Sequence, residues 1–177
     1  NALSGESVLQ VTISDGQNIT GNNEKFLRFH WEVDCKNIGR SKKWILCARG
    51  GAYRKWYGNI EEVINWSSQA RTFYRKDSIA RIIPEYLWFR EGISWSRITS
   101  YKPSFRVLDA DNLFEKTGVS LFLKENTKSD CLMAFLNSRP AEYLLRVITQ
   151  VVSIQVRDIR SLPYKADEIQ KNSTISR

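Results

Sequence analysis

Apolar residues in the first two thirds of the chain recur mainly at short, strand-like intervals. In residues 8–13, Leu9, Val11 and Ile13 alternate with Gln10 and Thr12, which predicts an opening β-strand. Residues 16–23 then interrupt the pattern with glycine and asparagine. Further short apolar runs, bounded by turn-forming residues, predict strands at residues 44–48, 62–65, 92–98, 104–108 and 119–123. This part of the chain is therefore expected to be rich in strands.

The C-terminal third changes to helical spacing. Ser129 or Asp130 can cap a helix whose apolar positions recur every three or four residues. Those positions are Leu132, Met133, Phe135 and Leu136. Pro140 suits the first turn of a second helix. The stripe of that helix expected in the core is Leu144, Leu145, Val147 and Ile148. Residues 157–163 predict a short strand and turn.

These elements together predict an α/β fold of the mixed α+β kind, in which a strand-rich region precedes a C-terminal helical pair. With 177 residues and 42% apolar content, the chain is long enough for one hydrophobic core. We expect a single domain over residues 1–164, with a basic aromatic region at 40–106 and a helical and closing-strand region at 129–164. The polar tail at residues 165–177 is expected to be disordered.

The cysteines and the hydropathy pattern indicate a cytoplasmic protein. Cys35, Cys47 and Cys131 are odd in number and widely spaced, which fits neither a disulfide framework nor a structural zinc site, so we expect reduced, buried thiols. No stretch approaches the roughly 20 apolar residues that a membrane span requires. No membrane partner and no metal are therefore expected.

Positive charge is concentrated in one region of the chain. Residues 40–106 contain 14 of the 27 Lys and Arg residues and 13 of the 21 aromatic residues, but only five acids, so their net charge is about +9. A local field of one sign attracts a polyanion, and interleaved Trp, Tyr and Arg provide stacking and bidentate groups. The first hypothesis is therefore that the chain binds nucleic acid.

Two segments carry most of the candidate contacts. The Gly-Asn-Asn turn around residues 20–28 offers amides that can read adenine or, equally, cap a helix. The segment at residues 49–59 combines glycines, cations and aromatic residues, but it lacks the spacing of a nucleotide-binding loop. The predicted DNA-binding residues are Asn22, Asn23, Lys25, Arg28, Lys42, Lys43, Arg49, Gly50, Gly51, Arg54, Lys55, Trp56, Tyr57, Arg90, Arg97 and Arg106. Trp88, Phe89 and Trp95 are expected in the core instead.

Catalysis has little support in the sequence. The one histidine, His30, has no evident nucleophile beside it and is expected to pack or cap. Asp109, Asp111 and Glu115 form a small acidic group without the spacing of a calcium loop, so a solvated loop is expected there.

Several motifs in order resemble the target-recognition region of adenine-specific DNA methyltransferases of the BREX phage-defence type and of related single-chain restriction-modification enzymes (type II restriction enzymes). The first motifs lie at residues 20–23, 26–28, 43–44, 50–51, 54–59 and 64–66. The later motifs lie at residues 89–96, 105–106, 136–138, 154–156, 158–159 and 162–163. The Leu-Asn-Ser and Asp-Ile-x-x-Leu-Pro motifs are also similar to the ends of recognition domains in type I restriction specificity subunits.

The resemblance implies a non-catalytic recognition domain that binds double-stranded DNA. The Asn-Pro-Pro-Tyr tetrapeptide and the S-adenosylmethionine loop of these enzymes do not occur in this sequence. The resemblance therefore places the catalytic domain and its S-adenosylmethionine in an N-terminal methyltransferase domain of the same polypeptide, with other defence-system subunits as further possible partners. No cofactor is expected in this part of the protein.

Two alternatives stay open at this point. Trp56, Tyr57 and Trp95 suit an RNA or single-stranded nucleic-acid binding module if they stack on bases. The basic surface also suits a protein-interaction module of a defence complex that meets an acidic partner.

Overall fold

The computed structural model describes residues 6–100, 102–125, 127–149 and 152–165. Within these ranges the chain forms two four-stranded sheets and six α-helices, which confirms the predicted α/β class. The strands are β1 (Thr12–Ile13), β2 (Leu27–Phe29), β3 (Trp44–Ala48), β4 (Glu62–Asn65), β5 (Gly92–Ser96), β6 (Phe105–Leu108), β7 (Leu113–Phe114) and β8 (Gly118–Leu123). The helices are α1 (Val8–Val11), α2 (Asn23–Phe26), α3 (Ser68–Lys76), α4 (Ser129–Leu136), α5 (Arg139–Ile148) and α6 (Val156–Arg160). Short 3₁₀ helices lie at His30–Glu32, Cys35–Asn37 and Glu85–Leu87.

The first sheet is antiparallel, with strand order β1-β8-β5-β6. Every residue of its inner strand β5 is buried. Trp95 lies opposite Phe105 and Val119, and its indole Nε1 donates to the carbonyl of Ile154 at 3.0 Å. Leu132 of α4 packs into the same cluster. Trp95 is therefore a core residue, as the sequence predicts.

The second sheet is mixed, with strand order β2-β4-β3-β7. Strands β2 and β3 both run antiparallel to β4, so both begin at the same end of the sheet, here called the Trp44 end. The opposite end, where β3 finishes, is the Ala48 end. Helix α3 packs Ala70 and Tyr74 against Ile64 of this sheet. Ala48 joins a cluster with Phe122 of the first sheet, so the Ala48 end meets that sheet.

Most of the predicted strands and both predicted helices are confirmed. Strands β3 and β4 match the predicted ranges, whereas the predicted strand at residues 92–98 ends at Ser96. Strands β6 and β8 begin within one residue of the predicted positions. Helix α4 begins at Ser129, and α5 contains Pro140 in its first turn. In the stripe of α5 Leu145 is buried, but Val147 and Ile148 are exposed, so their predicted place in the core is wrong.

The prediction of a strand at residues 8–13 is wrong for its first four residues. They form the short helix α1, because the Gln10 side chain accepts a hydrogen bond from the Ser7 N–H at 2.6 Å, and the Thr12 hydroxyl donates to the Val8 carbonyl at 2.6 Å. These local bonds satisfy polar groups that a strand would pair with a neighbour. Of the predicted strand, only Thr12 and Ile13, which form β1, pair with β8.

The predicted short strand at residues 157–163 is also wrong in its first part. Helix α6 forms there, and the Asp158 carboxylate accepts from the N–H of Gln155 at 2.7 Å, at the helix N-terminus. A negative side chain is stabilising at this position. Helix α3 is not among the predicted elements, although its cap at Ser67 and its apolar residues Ala70, Phe73 and Tyr74 have helical spacing.

Three further expectations concern burial. Cys47 and Cys131 are buried free thiols, and burial raises the pKa of the Cys47 thiol, but Cys35 is exposed, so its predicted burial is wrong. Glu115 is fully buried, which contradicts the predicted solvated loop. In the described ranges no helix is long and apolar enough to cross a membrane. Residues 166–177 of the predicted disordered tail lie outside the described residues.

Candidate nucleic-acid interface

The segment at residues 49–61 connects β3 to β4 at the Ala48 end of the second sheet, and its residues 49–59 are called the recognition loop below. The N–H of Arg49 donates to the carbonyl of Asn59 at 2.9 Å, which closes the base of the loop. The Asn59 side chain donates to the Ala52 carbonyl at 3.0 Å. These bonds hold the two ends of the recognition loop together.

The glycines of the recognition loop bring it against the first sheet. A Cβ atom on Gly50 would lie 2.6 Å from the carbonyl oxygen of Thr117, a separation that real Cβ atoms do not tolerate. The Gly50 N–H donates to Thr117 Oγ1 at 3.2 Å, and the Gly51 N–H donates to Ser96 Oγ at 3.1 Å. The sequence predicts Gly50 and Gly51 among the DNA-binding residues, but in this structure Gly50 closely approaches Thr117.

Arg49 is held by two carboxylates at the base of the recognition loop. Its Nη1 lies 2.8 Å from Glu62, and its Nε lies 3.5 Å from the buried carboxylate of Glu115 and donates to Thr117 Oγ1 at 3.0 Å. The side chain of Arg49 is only 20% exposed. Arg49 therefore ties β3 to β4 and to the turn before β8, and little of its guanidinium faces solvent.

Lys55 and Asn137 connect the recognition loop to helix α4. The Lys55 ammonium donates to the Asn137 carbonyl at 2.7 Å, at the C-terminus of the helix, where a cation is favoured by the helix dipole. The Asn137 side chain both accepts from the Phe105 N–H at 3.1 Å and donates to the Phe105 carbonyl at 3.0 Å. The Leu-Asn-Ser motif thus has a structural role: it attaches α4 to the edge strand β6.

Trp56 lies beside strand β6 in a left-handed backbone conformation, with φ of 74°. Its N–H donates to the Phe105 carbonyl at 2.9 Å, and its carbonyl accepts from the Val107 N–H at 3.0 Å. The backbone of Trp56 is therefore fixed, while the residue as a whole is 53% exposed.

Arg106, which the sequence predicts among the DNA-binding residues, lies beneath the recognition loop and is only 1% exposed. Its guanidinium donates to the Arg54 carbonyl at 3.4 Å, to Ser96 Oγ at 3.4 Å and to Ser104 Oγ at 3.3 Å. Burial, aided by the nearby charge of Arg54, lowers the pKa of Arg106 to about 10, so it stays protonated at neutral pH. Arg106 supports the recognition loop from below.

The tip of the recognition loop is exposed and carries aromatic and cationic side chains. Tyr53, Trp56 and Tyr57 are 45%, 53% and 62% exposed. Arg54 bonds to the exposed carboxylate of Glu61 at 3.0 Å, a pair of the kind that contributes little to stability. The tip therefore presents stacking faces and an exchangeable guanidinium to solvent.

A cleft of about 510 Å³ lies next to the recognition loop, between Gly50-Gly51 and the end of β5. Arg49, Arg97 and Lys116 line it, and no carboxylate lines it. Within the described residues, the side chains of Arg97 and Lys116 have no hydrogen-bond or ion-pair partner. Sequence reasoning missed Lys116, because it enters the site only through the contact of Thr117 with Gly50, 67 residues away.

The other predicted residues lie elsewhere. Lys42 and Lys43 precede β3 at the Trp44 end of the second sheet, and α2 lies at the same end because it leads into β2. Arg90 precedes β5 at the end of the strand opposite Arg97, and it donates to the Leu123 carbonyl at 2.9 Å. The structure therefore does not collect the predicted residues on one surface.

The residues around α2 take part in local bonds. Asn22 caps the helix by accepting from the Lys25 N–H at 2.9 Å, and Asn23 accepts from the Thr20 hydroxyl at 2.5 Å. Arg28 donates to the Leu27 carbonyl at 2.6 Å. Asn22 thus has the capping role that the sequence allowed as an alternative to base contact.

His30 lies on the exposed turn after β2, and its Nδ1 is 2.9 Å from the Glu61 carbonyl. Its ring packs edge-on against exposed Trp31 at 4.9 Å. These contacts fit the predicted packing role.

The amino-acid sequence of the chain is similar to part of two known proteins. No protein-family model matches the chain. The chain is 33% identical over 159 residues to the adenine-specific methyltransferase PglX of Lacticaseibacillus casei (strain Zhang). This match covers 81% of the chain and 13% of PglX. It is 28% identical over 154 residues to the adenine-specific methyltransferase BrxX of Escherichia coli O9:H4 (strain HS), covering 84% of this chain and 13% of BrxX. The chain thus spans about an eighth of the length of these two adenine-specific methyltransferases, with which it shares recognisable sequence similarity.

Proposed function

We propose that this chain recognises double-stranded DNA as the target-recognition region of an adenine-specific methyltransferase in a phage-defence or restriction-modification system. The observation that carries the proposal is the exposed aromatic and cationic tip of the recognition loop beside a cleft lined by cations without carboxylates. Phosphate contacts position a protein on a duplex, and a few side chains on loops read the base edges. The two parts of the site suit these two tasks.

The cleft is the proposed phosphate contact. Arg97 and Lys116 are positively charged and have no partners in the described structure, so binding a phosphate breaks no existing ion pair. Neutralising phosphates releases counterions, which makes affinity depend strongly on salt.

The tip is the proposed base-reading element. Arg54 can exchange its weak exposed pair with Glu61 for bidentate bonds to guanine O6 and N7 in the major groove. Tyr57 and Trp56 flank it with exposed rings. Lys55 and Arg106, which the sequence placed among the contacts, act here as supports that position this tip.

The chemistry of methylation is proposed to take place outside this part of the protein. The N-terminal methyltransferase domain would bind S-adenosylmethionine and flip the target adenine from the stack. The residues described here would then determine which DNA sequence is bound, without a catalytic group of their own.

A titration of labelled duplex at several salt concentrations tests the proposal. If roughly 4–7 phosphates are neutralised, the log-log slope of affinity against salt is expected to be about −4 to −6. The variant Arg54→Ala/Arg97→Ala/Lys116→Ala should reduce the magnitude of this slope by about two, while the protein stays folded.

The control, matched to the two cations of the cleft, removes the exposed Lys124 and Lys128, which lie beyond the end of β8 opposite Lys116. The log-log slope of affinity against salt for this control variant should differ from that of the unmodified chain by less than about one, because the control removes positive charge but no phosphate contact. Equal losses in both variants, or a slope near zero for the unmodified chain, would contradict the proposal.

Single-stranded nucleic acid is a second candidate ligand, favoured by the exposure of Tyr53, Trp56 and Tyr57. Exposed rings at close spacing can stack on successive unpaired bases. Competition between a duplex and its separated strands discriminates the two. Preference for the single strand, with strong quenching of tryptophan fluorescence, would replace duplex recognition by this candidate.

A further inference from the structure

A second cationic cleft, of about 590 Å³, lies at the Trp44 end of the second sheet, away from the recognition loop. It is bordered by the segment before β3, the start of α3 and the loop that carries Trp88. Its charged lining residues are Lys42, Lys43 and Arg71, and no carboxylate lines it. The local field in this cleft is therefore positive.

The N-terminus of helix α3 opens into this cleft. The helix is nine residues long and has no acidic residue in its first turn, so no side chain of its own balances the positive end of the helix dipole. Ser67 caps the helix by accepting from the Ala70 N–H at 3.3 Å, and Ser68 in the first turn also lines the cleft. A helix start of this kind favours an anion.

Trp66 provides an independent sign of a missing partner. Trp66 lines the cleft and is 3% exposed, and within the described residues its indole Nε1 has no hydrogen-bond partner. Buried indole N–H groups are normally bonded, so an unpaired one calls for an acceptor. Arg71 is held beside it, since its Nη1 donates to the Trp66 carbonyl at 2.9 Å.

We propose that this cleft binds a phosphate group. A phosphate offers only acceptors at its charged oxygens, and the cleft offers ammonium, guanidinium, hydroxyl and indole donors together with a helix N-terminus. Lys42 and Lys43 are exposed and supply charge, while Arg71 and the start of α3 fix the position of the anion.

The position of this second cleft relative to the recognition loop indicates which part of a DNA duplex the cleft would contact. The two sites lie at opposite ends of β3, whose five residues span about 17 Å at roughly 3.3 Å per residue. This distance exceeds the roughly 12 Å width of the major groove. The cleft would therefore hold a backbone phosphate across the groove from the one beside the recognition loop. The assignment to a DNA phosphate rests on the proposed function, whereas the binding of a phosphate group does not.

Titration of the full chain with inorganic phosphate, against sodium chloride at equal ionic strength, tests the site directly. We expect phosphate to shift the indole N–H resonance of Trp66 selectively in the NMR spectrum. Lys42→Gln/Lys43→Gln should abolish the shift, and Lys124→Gln/Lys128→Gln should leave it unchanged.

A second variant separates binding from folding. Ser68→Glu places a carboxylate in the first turn of α3, where it favours the helix but repels a phosphate. Its melting temperature should be equal to or above that of the unmodified chain, while the phosphate shift is lost. A retained shift in Ser68→Glu, or no shift in the unmodified chain, would overturn the proposal.

The DNA titration distinguishes the source of the phosphate. For a backbone phosphate, Lys42→Gln/Lys43→Gln should reduce the magnitude of the salt slope by about one to two, equally for all duplex sequences. If the variant has the same salt slope as the unmodified chain, while the unmodified chain still shows the shift with inorganic phosphate, the cleft binds a free phosphate or nucleotide and not the DNA backbone. If the chain binds DNA, but inorganic phosphate causes no Trp66 shift and Lys42→Gln/Lys43→Gln leaves the salt slope unchanged, the proposal for this cleft is overturned and the proposed function still stands.

Discussion

At the scale of single residues, the sequence indicated which cations bind hydrogen-bond acceptors, but it did not indicate which acceptors in the folded chain they bind. Lys55, Arg49 and Arg106 were predicted to contact DNA, and each does bind acceptors, but those acceptors are protein atoms. Lys55 bonds to a carbonyl 82 residues away. Residue type and spacing carry no information about such distant partners, so sequence reasoning could not separate supporting cations from free ones such as Arg97.

Asn137 gives a prediction at this scale. Replacement by Ala removes both hydrogen bonds to the buried backbone of Phe105 and leaves its N–H unsatisfied, whereas its carbonyl still accepts from the Trp56 N–H. Asn137→Ala should therefore lower the free energy of unfolding by about 2–4 kcal/mol in urea denaturation. The exposed Asn37→Ala is the control and should change it by less than about 0.5 kcal/mol. Similar small effects at both positions would refute the structural role of Asn137.

At the scale of elements, long apolar runs predicted the structure well and short local motifs did not. Strands β3 and β4 carry the buried β-branched residues Ile45, Val63 and Ile64, and they were found at the predicted positions. Residues 8–11 alternate in sequence but fold as a helix, because the bonds of Gln10 and Thr12 are local. The two-residue strand β7 depends on pairing with β3 and has no period of its own, so the sequence could not reveal it.

The end of helix α3 gives a prediction of pH dependence. Asp77 follows the helix, and its carboxylate accepts from the N–H groups of Ile79 and Ala80 at 2.9 and 2.8 Å. These backbone hydrogen bonds lower the pKa of Asp77 below 3.8. The folded state therefore favours the charged form, and this stabilisation is complete well above 3.8 and is lost as pH falls through the lowered pKa.

Melting curves of the unmodified chain and of Asp77→Asn at several pH values measure this effect. The unmodified chain should melt at the higher temperature at neutral pH, and the difference should shrink in acid, once Asp77 is protonated. A difference that stays constant from neutral pH to pH values below the lowered pKa would show that the charge of Asp77 does not contribute.

At the scale of the whole molecule, the fold divides a basic region that is continuous in sequence. The sequence predicted the excess charge of residues 40–106, but β3 carries Lys43 to one end of the second sheet and Arg49 to the other. The cleft beside the recognition loop also needs Lys116 from beyond this region. Only the pairing of strands decides which cations share a surface, and a single sequence does not specify it.

The separation of the two clefts predicts additive energetics. Residues more than about 10 Å apart without shared partners usually contribute independently. Combining Lys42→Gln/Lys43→Gln with Arg97→Ala should change the binding free energy for duplex DNA by the sum of the separate changes, within about 0.5 kcal/mol. A coupling above about 1 kcal/mol in this double-mutant cycle would show that the clefts act as one site.

The attachment of the recognition loop has a consequence for how such a protein can change over time. Arg49 and Lys55 attach its lower part to the rest of the fold, and Asn59 closes its base. Tyr53, Arg54 and Tyr57 are exposed at its tip. Substitutions at outward-facing positions usually alter folding stability little. The residues at the tip can therefore change during evolution while the supporting structure persists, and under the proposed function this would allow new DNA sites to be recognised without a new fold.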